Sequence, residues 1–155
     1  MARRRRLLSD AIADLRLDLS DPDATLFDDA TLLRCIKKAV FRAGQDLSLD
    51  LRIWRDRIVP SLEDNIYELL LILSQIHSCQ VMRSATANAF SFASGDKRVD
   101  KTKQPEHWAK LEADLQSDYN KRLTDMLPDA PVNEEAYIIT PAGLAPVIYE
   151  QGGDV

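Results

Sequence analysis

The feature that most constrains this chain is a stretch from Ile66 to Ser84 that is apolar around most of a helix. Ile66, Leu69, Leu70, Leu73, Ile76, His77, Gln80, Val81 and Ser84 share one side at helical spacing. Leu71 and Ile72 widen the apolar arc between Tyr67 and Leu73. A helix of this kind has to be packed on several sides. The pattern therefore predicts a long helix, about Leu62 to Ala87, that is either central, with other helices around it, or also packed against a neighbouring subunit. Five glycines in 155 residues suit a helical fold better than a sandwich or barrel. That length supports one domain with one core.

The flanking segments supply the covering helices. Leu8, Ile12, Leu15 and Leu19 predict a first helix over 7–19, with Asp10, Asp14, Arg16 and Asp18 off the stripe. Pro22 ends it. Asp28 is an N-cap for a second helix, and Phe27 before it can staple onto Leu32. Leu32, Ile36, Val40 and Ala43 form its inner stripe; Gly44 lies near its end. Leu47, Leu49, Leu51 and Ile53 alternate with polar residues, which predicts a short strand or extended connector. Trp54, Ile58 and Val59 continue it as an apolar edge up to Pro60, and Ser61 to Asp64 reads as a capping box. Pro105 opens a last helix to Met126, with Trp108, Leu111, Leu115, Tyr119 and Leu123 inside.

The expected fold is mainly α: a small helical bundle around a long central helix, residues 1–126, with an extended C-terminal arm, residues 127–155. Pro128, Pro131, Pro141 and Pro146 punctuate the arm. Tyr137, Ile138 and Ile139, and then Val147, Ile148 and Tyr149, fall in two β-prone pieces able to add a strand to another protein's sheet.

Charge is unevenly distributed. The formal net charge is -5. Residues 1–122 carry 20 basic and 19 acidic side chains, whereas residues 123–155 carry six acids and no Lys or Arg. Arg3, Arg4, Arg5 and Arg6 form a basic head that fits nucleic-acid phosphates, an acidic protein surface or simply a solvated terminus. Between the last two predicted helices lies Phe90 to Lys103. It holds Phe90, Phe92, Lys97, Arg98, Lys101 and Lys103 around a Ser-Gly-Asp turn. Alternation at 90–92 and Val99 after the turn predict a short β-like loop excursion that docks onto a neighbour.

Little in the chain suggests covalent chemistry. Cys35 and Cys79 lie in apolar helical patterns and read as buried reduced thiols. His77 reads as a satisfied core histidine and His107 as a surface residue. Glu63 and Asp64 favour a helix N-terminus. Ser94-Gly-Asp96 lacks the pattern of a phosphate loop. No nucleophile, base and oxyanion donor come together, so the expectation is a non-enzyme without cofactor or metal. The longest apolar run, Leu69 to Leu73, is too short to span a bilayer. Leu7 and Leu8 are followed directly by Ser9 and Asp10, which gives no signal-peptide pattern.

Several of these segments together resemble a known family. Leu17-Asp-Leu-Ser-Asp-Pro22, Phe27-Asp-Asp-Ala-Thr-Leu-Leu-Arg34, the apolar helix after Pro60, the turn Ser94 to Asp100 and the final Tyr119-Asn-Lys-Arg-Leu123 resemble the head-to-tail adaptor (connector) proteins of tailed bacteriophages. The resemblance covers about residues 7–126. It implies a structural neck protein of the virion, assembled in the host cytoplasm without a membrane. Such a protein forms a ring, commonly dodecameric, under the portal protein. It continues the channel for double-stranded DNA and receives the next neck or tail-completion protein. On this reading the arm binds portal and the 90–103 loop meets a neighbouring subunit or neck protein. The alternative expectation is a nucleic-acid-binding helical module, a packaging or regulatory subunit, using Arg3 to Arg6 and the basic residues of 97–103.

Overall fold

The computed structural model describes residues 4–91 and 104–127. In chain order these form β1 (Arg4–Leu7), α1 (Leu8–Asp18), α2 (Asp29–Asp46), β2 (Arg52–Trp54), β3 (Arg57–Leu62), α3 (Asp64–Ser91) and α4 (Gln104–Met126). The fold is mainly α, with a small three-stranded antiparallel sheet ordered β1-β3-β2.

α3 is the central element. Leu69, Leu70, Leu73, Ser74, Ile76, Ser78 and Cys79 are buried, and these positions run around most of its circumference. α1, α2 and α4 all pack on it. From α2 come Leu32, Ile36, Ala39, Val40 and Ala43, the predicted stripe with Ala39 added; from α1 come Leu8, Ala11 and Leu15. Fully burying one such Leu or Ile removes about 1.5–3 kcal/mol worth of apolar surface from water. Ser74 and Ser78 satisfy themselves by donating to the carbonyls of Leu70 and Ser74, each at 2.9 Å. α4 runs antiparallel to α3, as the ion pairs Arg83–Glu112 and Arg122–Glu68 show.

Several local expectations are corrected. Val81, Gln80 and Ser84 are exposed, because beyond Ile76 the covered face shifts toward Cys79 and Met82. In α4 the predicted inner Leu111 is 42 % exposed. Glu112 turns inward instead, accepting from Arg83 and from Gln80 at 3.1 Å. α3 extends to Ser91, so Phe90 lies in its last turn and not on a β excursion. Phe92 to Lys103 and residues 128–155, hence the rest of that loop and the extended arm, lie outside the described residues.

The sheet departs furthest from expectation. The arginine run enters it as strand β1, pairing Arg6 with Ile58 and Leu7 with Arg57. Pro60 does not end the extended segment; β3 continues through it to Leu62, and the Val59–Pro60 peptide is cis. Proline lacks the N–H that a ladder requires. Here it falls past the last paired residue on the β2 side, Val59, and inside the register shift on the β1 side between Arg4 and Arg6. Ser61 and Leu62 are therefore strand residues, not a helix cap. After α2 the chain doubles back so closely that a Cβ on Gly44 would meet the Leu49 carbonyl oxygen at 2.9 Å.

β2 and β3 are joined by Arg55 and Asp56, with φ of 46° and 59°. Two left-handed residues between paired strands match the mirror-image turn that favours Asn-Gly. Arg55 is poorly suited to that conformation. Replacing Arg55→Asn together with Asp56→Gly should stabilise the fold by on the order of 1 kcal/mol. Urea unfolding measures it; a lower midpoint for the double variant would contradict the turn assignment.

Candidate functional site

Three polar clusters hold the elements in place. The joint between α1 and α2 is built on Asp21, only 2 % exposed. Its carboxylate accepts from the Thr25 amide at 2.8 Å, the Thr25 hydroxyl at 2.9 Å, the Leu26 amide at 3.1 Å and the Phe27 amide at 3.0 Å. Arg16, expected off the buried stripe, is buried beside it. It donates to Asp21 at 3.3 Å, to the Phe27 carbonyl at 2.9 Å and to Asp29. Asp28 caps α2 as expected, accepting from the Thr31 amide at 2.8 Å.

The other two clusters repeat one arrangement. Tyr67 donates to Asp14 at 2.6 Å, and the Arg6 guanidinium lies 4.1 Å from its ring centre. Tyr119 donates to Asp46 at 2.6 Å, and the Arg42 guanidinium lies 5.5 Å from its ring centre. The first clasp ties β1, α3 and α1 together; the second ties α2 to α4. Burial, then the hydrogen bond to a carboxylate, pushes both phenols above their ordinary range.

These clusters decide what the arginine run can do. Arg6 is committed to the interior: it bridges Asp64 at 2.7 Å and covers Tyr67. Arg5 points to the opposite, outward face of the sheet. Strand alternation and pairing put Arg52, Trp54, Arg57 and Val59 on that face as well. Trp54 is 61 % exposed, and the Arg55 guanidinium lies 5.7 Å from its ring centre. Arg5, Arg52, Arg55 and Arg57 have no ion pair among the described residues. The result is a flat cationic face with an exposed indole, bordering a shallow depression of about 480 Å³.

α2 carries a second exposed surface. Arg34, Lys37, Lys38, Phe41 and Gln45 recur at helical spacing along its outer side, and Phe41 is 67 % exposed. His77 borders this surface. Its Nδ1 lies 3.3 Å from Gln80 Oε1, while its buried Nε2 has no hydrogen-bond partner among the described residues. The expectation of a satisfied histidine therefore fails at one nitrogen, and burial lowers the pKa of the ring. Cys35 and Cys79 are free and buried, as expected. Burial raises both thiols, Cys79 to about 11.

Of the sequence-predicted site residues, Arg4, Arg5 and Arg6 are brought into β1, and Phe90 into the last turn of α3. Arg3, Phe92, Lys97, Arg98, Lys101, Lys103, Tyr137, Ile138, Ile139, Val147, Ile148 and Tyr149 lie outside the described residues. Sequence reasoning missed the grouping of Arg5 with Arg52 and Arg57. The available signal was the Arg-x-x-Arg-x-Arg run at 52–57, which the strand pairing turns toward Arg5. No helix among the described residues is long and apolar enough to cross a membrane. Among those residues, no group of three or more His, Cys, Asp or Glu is placed to hold a metal ion. Comparison with family models, with curated proteins and with solved structures found no match.

Asp21 gives a pH prediction. Burial alone would raise its pKa, but the hydrogen bonds from Leu26, Phe27 and Thr25 outweigh it and hold the carboxyl below its ordinary value. A depressed folded pKa means that its stabilisation is fully present above the unfolded value, about 3.9, and is lost as pH falls through the folded one. Asp21→Asn should lower stability at neutral pH, with the gap to the parent closing only below about pH 4. Urea titrations across pH check this; a gap that is constant down to pH 2 would contradict it.

Proposed function

We propose that the chain is a structural subunit of a phage neck. It assembles as a ring between the portal and the next neck or tail component, continues the DNA channel and does no covalent chemistry. The observation that carries this reading is the pair of separate exposed faces on a small, internally tied bundle. One is the arginine face of the sheet with Trp54; the other is the cationic α2 stripe around Phe41. A ring subunit meets its two neighbours through different surfaces, so it needs two separate faces. Exposed Asp114 and Asp125 on α4 offer acidic counterparts for a cationic stripe on the next subunit. The resemblance of residues 7–126 to head-to-tail adaptors supports the same reading.

In the assembled neck, the arm from Leu127 onward attaches to portal. Tyr137, Ile138 and Ile139, with Val147, Ile148 and Tyr149, enter pockets as an added strand, and many copies around the ring compensate for weak single contacts. The 90–103 loop, with Lys97, Arg98, Lys101 and Lys103, meets the neighbouring subunit or the next neck protein.

A second reading, a nucleic-acid-binding helical module, is favoured by Arg5, Arg52, Arg55 and Arg57, which lie beside Trp54 and have no ion pair among the described residues. It predicts duplex affinity that falls steeply with salt. Electron microscopy of the chain mixed with its cognate portal distinguishes the two. The adaptor reading predicts an added ring on the portal, lost when residues 128–155 are deleted. Absence of any ring with the full chain would overturn the reading. A truncated chain that attaches as tightly as the full one would overturn the arm's role.

A further inference from the structure

We infer that copies of this chain dock head to tail, the cationic stripe on α2 of one copy entering the acidic groove between α1 and α3 of the next. The inference rests on the ring reading for the premise that copies associate, and it names the surfaces that meet. The stripe is continuous. Arg34, Phe41 and Gln45 lie in line along α2, with Lys37 and Lys38 on either side. Arg34, Lys37 and Lys38 have no ion pair among the described residues. Phe41 stands exposed among them, so the stripe presents an apolar anchor flanked by positive charge.

The groove carries the complement. Asp14, Leu17 and Asp18 line it from α1 and Leu71 from α3, around a depression of about 600 Å³. Asp10 continues the row of carboxylates one turn earlier on α1. Asp14 and Asp18 accept hydrogen bonds from Tyr67 and Gln75. Neither they nor Asp10 has an ion pair among the described residues, whereas Asp64 and Glu68 at the same groove are paired with Arg6 and Arg122. Three carboxylates without an ion pair therefore answer three cations without one. Burial, then repulsion from Asp14, raises the pKa of Asp18, and an incoming cation relieves that repulsion. Leu17, 68 % exposed, gives Phe41 an apolar surface to cover.

The fold sets these two surfaces on opposite sides of α3. His77 borders the stripe and Glu68 borders the groove. They stand nine residues apart on α3, which is about 180° around a helix. A contact between two different patches that point away from each other does not close in a pair. Each copy added leaves one stripe and one groove free, so the contact propagates to a ring or a filament. Other surfaces complement the stripe less well. The outward face of the sheet is itself cationic. On α4, Asp114 and Asp125 each stand four residues from a lysine, Lys110 and Lys121, which offsets their charge.

The experiment uses the full chain with Phe41→p-benzoylphenylalanine, a substitution at an exposed position. It is irradiated alone and mixed with the cognate portal, and crosslinks are mapped by mass spectrometry. The expected result is a crosslink from position 41 of one copy to residues 10–18 or 68–75 of another. Its yield should fall about fivefold or more in the variant Lys37→Glu, Lys38→Glu, and recover when Asp10→Lys and Asp18→Lys are added to the same chain. All four positions are exposed, so loss of the fold does not confuse the outcome. A ring on the portal whose crosslinks from position 41 reach another surface, the portal or added duplex DNA overturns the inference and leaves the ring reading standing. The groove crosslink without a ring on the portal supports the inference and overturns that reading. No crosslink between copies overturns the inference, whatever the portal shows.

Discussion

The rest of the structure depends on keeping the apolar surface of α3 out of water. Buried positions run around most of that helix and leave the strip of Glu68, Leu71 and Gln75 open to solvent over its middle turns. One covering layer cannot do this, so α1, α2 and α4 lie against it. Ile58 and Leu62 of the sheet join the same core. Small and branched residues interleave between α2 and α3: Ala39 and Ala43 of α2 are fully buried against a helix that brings leucine and isoleucine. α4 is the lighter cover, with Tyr119 its one buried residue among those described.

Apolar packing does not by itself fix how the covers are oriented. The two Arg–Tyr–Asp clasps do. Each phenol places its ring in the core and its hydroxyl on a carboxylate from another helix, while an arginine closes the outer side of the ring. A hydrogen bond to a charged group contributes roughly 1.5–3 kcal/mol when its partners are both in place. Buried Asp21 does the same for the α1–α2 joint, where one carboxylate collects three backbone amides. These clusters engage Arg6, Arg16 and Arg42 internally. The arginines of the outward sheet face have no ion pair among the described residues, and that contrast underlies both functional proposals.

Much of this fold was legible in the sequence, for identifiable reasons. The helices announced themselves through period and caps: Asp28 caps α2 where predicted, and Leu32, Ile36, Val40 and Ala43 are all inside. The sheet was hidden. A strand of four residues made mostly of arginine has no apolar alternation to reveal it. Its hairpin turns on Arg55 and Asp56, which carry none of the Asn-Gly chemistry that marks such turns. Pro60 pointed to an end, yet a shifted register lets a strand pass through it. Leu111 and Glu112 exchanged places because an ion pair, not hydropathy, decided which faced inward. The arginine face was legible only in part: the run at 52–57 is visible in the sequence, but Arg5 joins it only through strand pairing. The 90–103 loop beyond Ser91 and the arm lie outside the described residues, so the structure does not bear on their predicted roles.

The most direct test of the account is native-state hydrogen exchange, residue by residue. If α3 is the helix that every other element covers, the amides of Leu69 to Cys79 should exchange only through global unfolding. Those of α4, with a single buried side chain, should open at lower free energy. Amides in the middle of α3 that exchange more readily than those of α4 would contradict the account, because the central helix would then open while its cover stayed in place.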